Sequence, residues 1–157
     1  MAAIRRILCI SGPNLNLLGK REPAIYGHET LAEIHERLEA RARSLHVTID
    51  ARQTNHEGVI VDWIGKAADA AEGGCAGILI NAGAYTHTSL AIYDALRSVA
   101  IPCVEVHVSN PDSREAYRRR SYIARVCLGR VAGFGGDSYE LALEGLVRWL
   151  ERRRASS

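Results

Sequence analysis

Lysine is scarce in this chain. Of 20 Lys and Arg side chains, only Lys20 and Lys66 are lysines, so an imine-forming amine has just two candidates. The four cysteines, Cys9, Cys75, Cys103 and Cys127, form no C-x-x-C pair. Three of them sit in apolar runs and read as buried free thiols in a reducing compartment. No apolar run approaches ~18 residues, so no membrane span is expected. No charged-apolar-small signal opens the chain, and a cytoplasmic protein is expected. The net charge is only +2, too little by itself to mark a nucleic-acid binder. No set of His, Cys, Asp and Glu has metal-ligand spacing. Neither a Walker loop nor a dinucleotide fingerprint occurs. The expectation is a protein without metal or cofactor.

The 157 residues, 47% hydrophobic and 24% charged, fit one domain with a sizeable core. That domain is expected over 1–157, its core over about 5–152. The arginine bias suits anionic substrates, because guanidinium presents a planar fork of donors to carboxylates. Codon or lineage bias is the simpler explanation of the same count.

Short apolar runs alternate with helical segments. Strands are expected at 6–11, 47–53, 77–81, 102–108 and 124–131, each flanked by turn residues. Such runs suit parallel strands covered on both faces. Thr30 with Glu33 forms a capping box, after which Leu31, Ile34, Leu38 and Leu45 mark one helical face. Further helices are expected over 57–72 and 87–99. A last one, over 138–152, is capped by Asp137 with Glu140. Arg152, Arg153 and Arg154 suit the negative end of that helix and read as a solvated end. Five βα units predict an α/β, flavodoxin-like, doubly wound parallel sheet of order 2-1-3-4-5 with helices on both faces. The switch point then lies between strands 1 and 3, so the loops after Ser11, Asn81 and His107 become the place to look for a site.

The first loop, GPNLNLLGKREPAIYG over 12–27, is long for a βα connection, and long loops in compact domains are usually functional. Its chemistry is Asn14, Lys20, Arg21, Glu22 and Tyr26. A free tyrosine, with a pKa near ~10, is a poor base at neutral pH, but a guanidinium nearby favours the tyrosinate. A tyrosine packing the loop over the core is the alternative. Gly19 and Gly27 bracket a polar stretch that reads as a lid. The second segment, ILINAGAYTHTS over 78–89, brings Asn81 and His87 to the switch point, with Thr88 or Ser89 free to cap the next helix. The third, VEVHVSN over 104–110, sets Glu105 and His107 two apart in a strand and hence on one face. A carboxylate beside an imidazole orients the ring and supports its protonated form. Ser109 and Asn110 then offer backbone N–H groups to an anion. Arg114 and Arg118, four apart, share a face if their segment is helical. The glycine-rich GFGGDS over 133–138 reads as a tight strand-to-helix turn rather than a phosphate cradle.

Together GPNLNLLGKREPAIYG, INAGAYTHTS and EVHVSN followed by R-x-x-x-R-x-x-S-Y resemble the type II 3-dehydroquinate dehydratases, from Ile7 to about Leu150. The resemblance implies a flavodoxin-like fold and anti elimination of water from 3-dehydroquinate, giving 3-dehydroshikimate in the shikimate pathway, without cofactor or metal. It implies Tyr26 beside Arg21 as the base, Asn14 holding a water that stabilises an enolate, and His107, oriented by Glu105, as the acid. Asn81 with the backbone at Val108 and Ser109 would take the substrate carboxylate. His87, Arg118 and Asp94 would hold ring hydroxyls, with Arg114 near the tyrosine. On the helical wheel Asp94 points about 200° from Ile92, away from its own core. The resemblance implies that Asp94 enters a neighbouring site, within trimers that assemble into a dodecamer. The rival class is a flavodoxin-like flavin or nucleotide binder. It would need a phosphate cradle after strand 1, where the chain offers GPNLN with no Ser/Thr cluster.

Overall fold

Alternation along the strands divides the hydrophobic core in two. In a computed structural model that describes residues 4–157, β1 (Arg5–Ser11), β2 (Val47–Gln53), β3 (Gly77–Asn81), β4 (Cys103–His107) and β5 (Gly129–Ala132) form one parallel sheet of order β2-β1-β3-β4-β5. Ile7, Cys9, Leu79, Val104 and Val106 face one way, Leu8, Ile10, Ile78 and Ile80 the other, because successive side chains leave a strand on opposite faces.

The helices follow that division. After the four-residue α1 (Pro23–Tyr26), α2 (Leu31–Ser44) contributes Leu31, Ile34, Leu38 and Ala42 to the first face. There they meet Tyr139, Ala142, Leu143, Leu146 and Val147 of α5 (Asp137–Ala155). On the opposite face lie Ile60, Ile64 and Ala67 of α3 (Glu57–Ala67) with Ile92 and Leu96 of α4 (Leu90–Val99). The capping box at Thr30 and Glu33 is formed in both directions.

Several boundaries differ from expectation. α3 stops at Ala67, and Asp69 instead caps a short 3-10 turn over Ala70–Glu72. α4 starts at Leu90 because Gly83–His87 winds as 3-10 turns and Ser89, not Thr88, accepts the Ile92 N–H. α5 has no side-chain cap: Gly136 occupies that position, while Asp137 and Glu140 both bind Arg37 of α2, at 2.8 and 2.9 Å. The fifth strand begins only at Gly129. The preceding apolar run is irregular, and Ile123, Val126 and Cys127 pack into the second core from a 3-10 turn and its exit.

The exit from β1 is tight. Gly12 N–H donates to Asn81 O at 2.8 Å, and a Cβ at Gly12 would lie 2.7 Å from the Ala82 carbonyl oxygen. Backbone on both sides cannot yield as a side chain can. Gly12→Ala is therefore expected to lower unfolding free energy by about 1–3 kcal/mol, as overpacking does. Urea denaturation checks this: an unchanged midpoint would mean that the loop after β1 moves freely away from β3.

Candidate active site

A cleft of about 210 Å³ opens at the carboxyl ends of β1, β3 and β4, where a doubly wound sheet reverses direction and binds ligands. Ten of the residues anticipated from sequence line it: Asn14, Arg21, Tyr26, Asn81, His87, His107, Val108, Ser109, Arg114 and Arg118. Glu105 lies behind His107 with no solvent exposure. Asp94 is exposed on α4 and is absent from the lining of this cleft, in keeping with its place on the helical wheel.

Local geometry explains how each wall is held. Asn14 adopts φ 66°, a left-handed conformation that Asn tolerates better than most residues, and its N–H donates to Asn55 Oδ1 at 3.0 Å. The turn that follows buries Leu15, and Leu15 and Leu18 supply apolar lining. Tyr26 ends α1, which starts at Pro23, a residue whose fixed φ suits a first helical position, and stops at Gly27, where φ is 79°.

The partners of Tyr26 differ in kind. Arg114 Nη1 donates to the phenolic oxygen at 2.7 Å. Arg21 stands 5.2 Å from the ring centroid and pairs with Glu22 at 3.3 Å. The Arg114 guanidinium stands at the same 5.2 Å from the centroid, so both arginines place positive charge over the ring and only Arg114 also contacts the hydroxyl. Arg114 and Arg118 do not share a helix. Each belongs to a separate short turn, Arg114 as the extended residue after Pro111–Ser113 and Arg118 as the last of Ala116–Arg118. Extended backbone at Arg114 and Glu115 separates the two turns, and both arginines reach the cleft.

His107 Nε2 bonds Glu105 Oε2 at 2.9 Å. Since a carboxylate can only accept, Nε2 carries the proton and Nδ1 remains as the ring's other functional nitrogen. Burial alone would push Glu105 up. Hydrogen bonds from His107 and Ser121, with the charges of His107 and Arg130, outweigh burial and hold its carboxyl below the usual range. His87 is pushed down, chiefly by burial, against a hydrogen bond between Nδ1 and the Arg120 carbonyl at 2.7 Å. That carbonyl requires Nδ1–H, so neutral His87 keeps Nε2 as an acceptor.

Some supporting residues escaped the sequence reading. Tyr139, wholly buried on α5, accepts from Asn81 Nδ2 at 3.1 Å and shares a hydrogen bond with Ser11 Oγ at 2.9 Å. Asn81 Oδ1 accepts from Gly83 N–H at 3.2 Å, so its amide is fixed from both ends. Arg130 of β5 reaches Glu105 at 2.7 Å. Only Tyr139 had a visible signal, a hydroxyl on the apolar stripe of the last helix. Among the described residues no three His, Cys, Asp or Glu side chains gather as a metal ion would require, and no helix is long and apolar enough to cross a membrane.

The sequence profile of the family Dehydroquinase class II matches residues 5–147. A 3-dehydroquinate dehydratase of Rhizobium johnstonii is 52% identical over 140 residues, covering 89% of this chain and 94% of its own. The crystal structure of a type II dehydroquinase from Butyrivibrio crossotus shares 42% identity at a TM-score of 0.88, over 92% of this chain and 99% of that one. Another, from Propionibacterium acnes, shares 39% at a TM-score of 0.85, over 94% and 99%. With profile, sequence and fold in agreement over nearly the whole length, the chain belongs to the class II dehydroquinase family.

Proposed function

We propose that the chain is a hydro-lyase that converts 3-dehydroquinate to 3-dehydroshikimate by anti elimination of water through an enolate. The observation that carries the mechanism is the pairing within one cleft of a tyrosine whose hydroxyl is held by arginine with a histidine backed by a buried carboxylate. Tyr26, its phenolate favoured by the Arg114 hydrogen bond and the Arg21 charge, takes a proton from the carbon next to the ketone. The C–H electron pair becomes the enolate. Asn14 holds a water against the enolate oxygen, the place where charge develops. The enolate then re-forms the ketone and a new carbon–carbon double bond as the C–O bond breaks. The His107 proton leaves with the hydroxyl as water. Tyr26 ends protonated and His107 neutral, and solvent resets both.

Asn81 and the backbone at Val108 and Ser109 bind the substrate carboxylate. His87 and Arg118 hold ring hydroxyls. Residues 19–27 close as a lid, hinged at Gly19 and Gly27, whose φ values of 85° and 79° suit glycine. No cofactor takes part, and the reaction serves the shikimate pathway in the cytoplasm. Purified protein mixed with 3-dehydroquinate should generate the ultraviolet absorbance of a conjugated enone. A spectrum that stays flat while substrate persists would refute the assignment.

Asp94 acts in a neighbouring subunit, within trimers that build a dodecamer. Neither Asp94→Ala nor His107→Ala alone should be active. Reassembled in equal mixture, about one site in four should combine an intact His107 with a neighbour's intact Asp94 and regain turnover. Unchanged kinetics in Asp94→Ala would refute the shared site.

A further inference from the structure

The register of the sheet sets Arg130 of β5 opposite Glu105 of β4. Residues paired in this way present their side chains on the same face of the sheet. Arg130 Nε lies 2.7 Å from Glu105 Oε2, the oxygen that also bonds His107 Nε2. The other carboxylate oxygen accepts from the Ser121 hydroxyl. Nε and Nη2 of Arg130 are buried, and among the described residues neither has a well-aligned hydrogen-bond acceptor. The short Nε–Oε2 approach is therefore chiefly an attraction of charges. Arg130 does not line the cleft and can act on the reaction only through Glu105.

We propose that Arg130 is a positioning residue that sets, through Glu105, the pH range over which His107 keeps its proton. A lone buried carboxylate would grip an imidazolium tightly and make it a weak acid. A second positive charge on the same oxygen shares that attraction, so His107 releases its proton more readily. The same charge adds a smaller share to the His107 and Ser121 hydrogen bonds that hold Glu105 ionised against burial. The pair is also faced by His87 from the cleft, beside which Arg118 stands, by the Cys103 and Cys127 thiols from the start of β4 and the segment before β5, and by the Ser121 hydroxyl. None of these is altered by replacing Arg130.

The link to catalysis rests on His107 being the acid, so the test reads proton binding and turnover separately. Histidine-labelled, ligand-free enzyme is titrated by NMR, with His107→Gln assigning the signal, and the pH profile of kcat is measured alongside. In Arg130→Met, His107 should titrate about one pH unit higher, the low end for a charge at this range. The basic limb of kcat should rise with it. Arg130→Gln, which keeps a donor for the buried carboxylate and loses only the charge, should do the same, and it stands in if Arg130→Met does not fold. Arg130→Lys should restore the wild-type limb. An unmoved His107 titration in a folded neutral variant overturns the proposal, whatever happens to turnover. A raised titration with an unmoved limb upholds the hold of Arg130 on the pair and counts instead against His107 as the acid.

Discussion

Tyr26→Phe is expected to fold as the parent does and to lose kcat by at least ~100-fold, the low end for removing a general base. The substitution deletes one oxygen atom. The Tyr26 side chain is half-buried and ends a four-residue helix whose backbone does not depend on the hydroxyl. What is lost is the acceptor for Arg114 Nη1 and, under the proposed mechanism, the group that takes the proton. Binding should change much less than turnover, because Asn81, His87 and Arg118 remain. Steady-state kinetics with circular dichroism as the folding check decides the matter. A kcat near the parent's would remove Tyr26 from the mechanism. Arg114→Ala and Arg21→Ala sharpen the reading: the residue touching the hydroxyl should cost more than the one placed only over the ring.

His107→Ala should also lose at least ~100-fold in kcat, but by a different route. If the enolate forms before the hydroxyl leaves, removing the acid blocks only the second half of the reaction. In deuterated water His107→Ala should then still exchange the proton beside the ketone, while Tyr26→Phe should not. NMR of recovered substrate separates the two. Loss of exchange in both variants would argue that proton removal and departure of water occur together. Loss of exchange in neither would displace Tyr26 as the base. Glu105, buried, loses its His107 hydrogen bond in this substitution but keeps Ser121 and Arg130, so a modest loss of stability should accompany it.

The strand positions could be read from sequence because each apolar run is bounded by turn residues, and their order because five βα units fit a common doubly wound sheet. The first four strands lie where those runs do, within a residue at each end. The fifth overran because apolarity reports burial rather than backbone form: Ile123, Val126 and Cys127 are core residues outside any strand. The expected cap at Asp137 failed for a related reason. An acidic residue before a helix is equally useful as an ion-pair partner, and Arg37 takes it. At the site, ten of the residues named from sequence converge on one cleft, while Lys20, Glu22 and Asn110 of the same loops stay outside its lining. Which guanidinium touches Tyr26 was not legible, since Arg21 is five residues away in sequence and Arg114 is 88. Arg130 was invisible for the same reason. Its meaning depends on register across the sheet, which no local pattern encodes.

The proposed reaction removes water from 3-dehydroquinate in the anti sense within this cleft. It is tested most directly with 3-dehydroquinate carrying one deuterium beside the ketone, trans to the departing hydroxyl, with the product examined by proton NMR. The account predicts product formation with loss of that deuterium, while substrate labelled at the cis position keeps its label. Retention of the trans deuterium in the product, or no product at all, would contradict it.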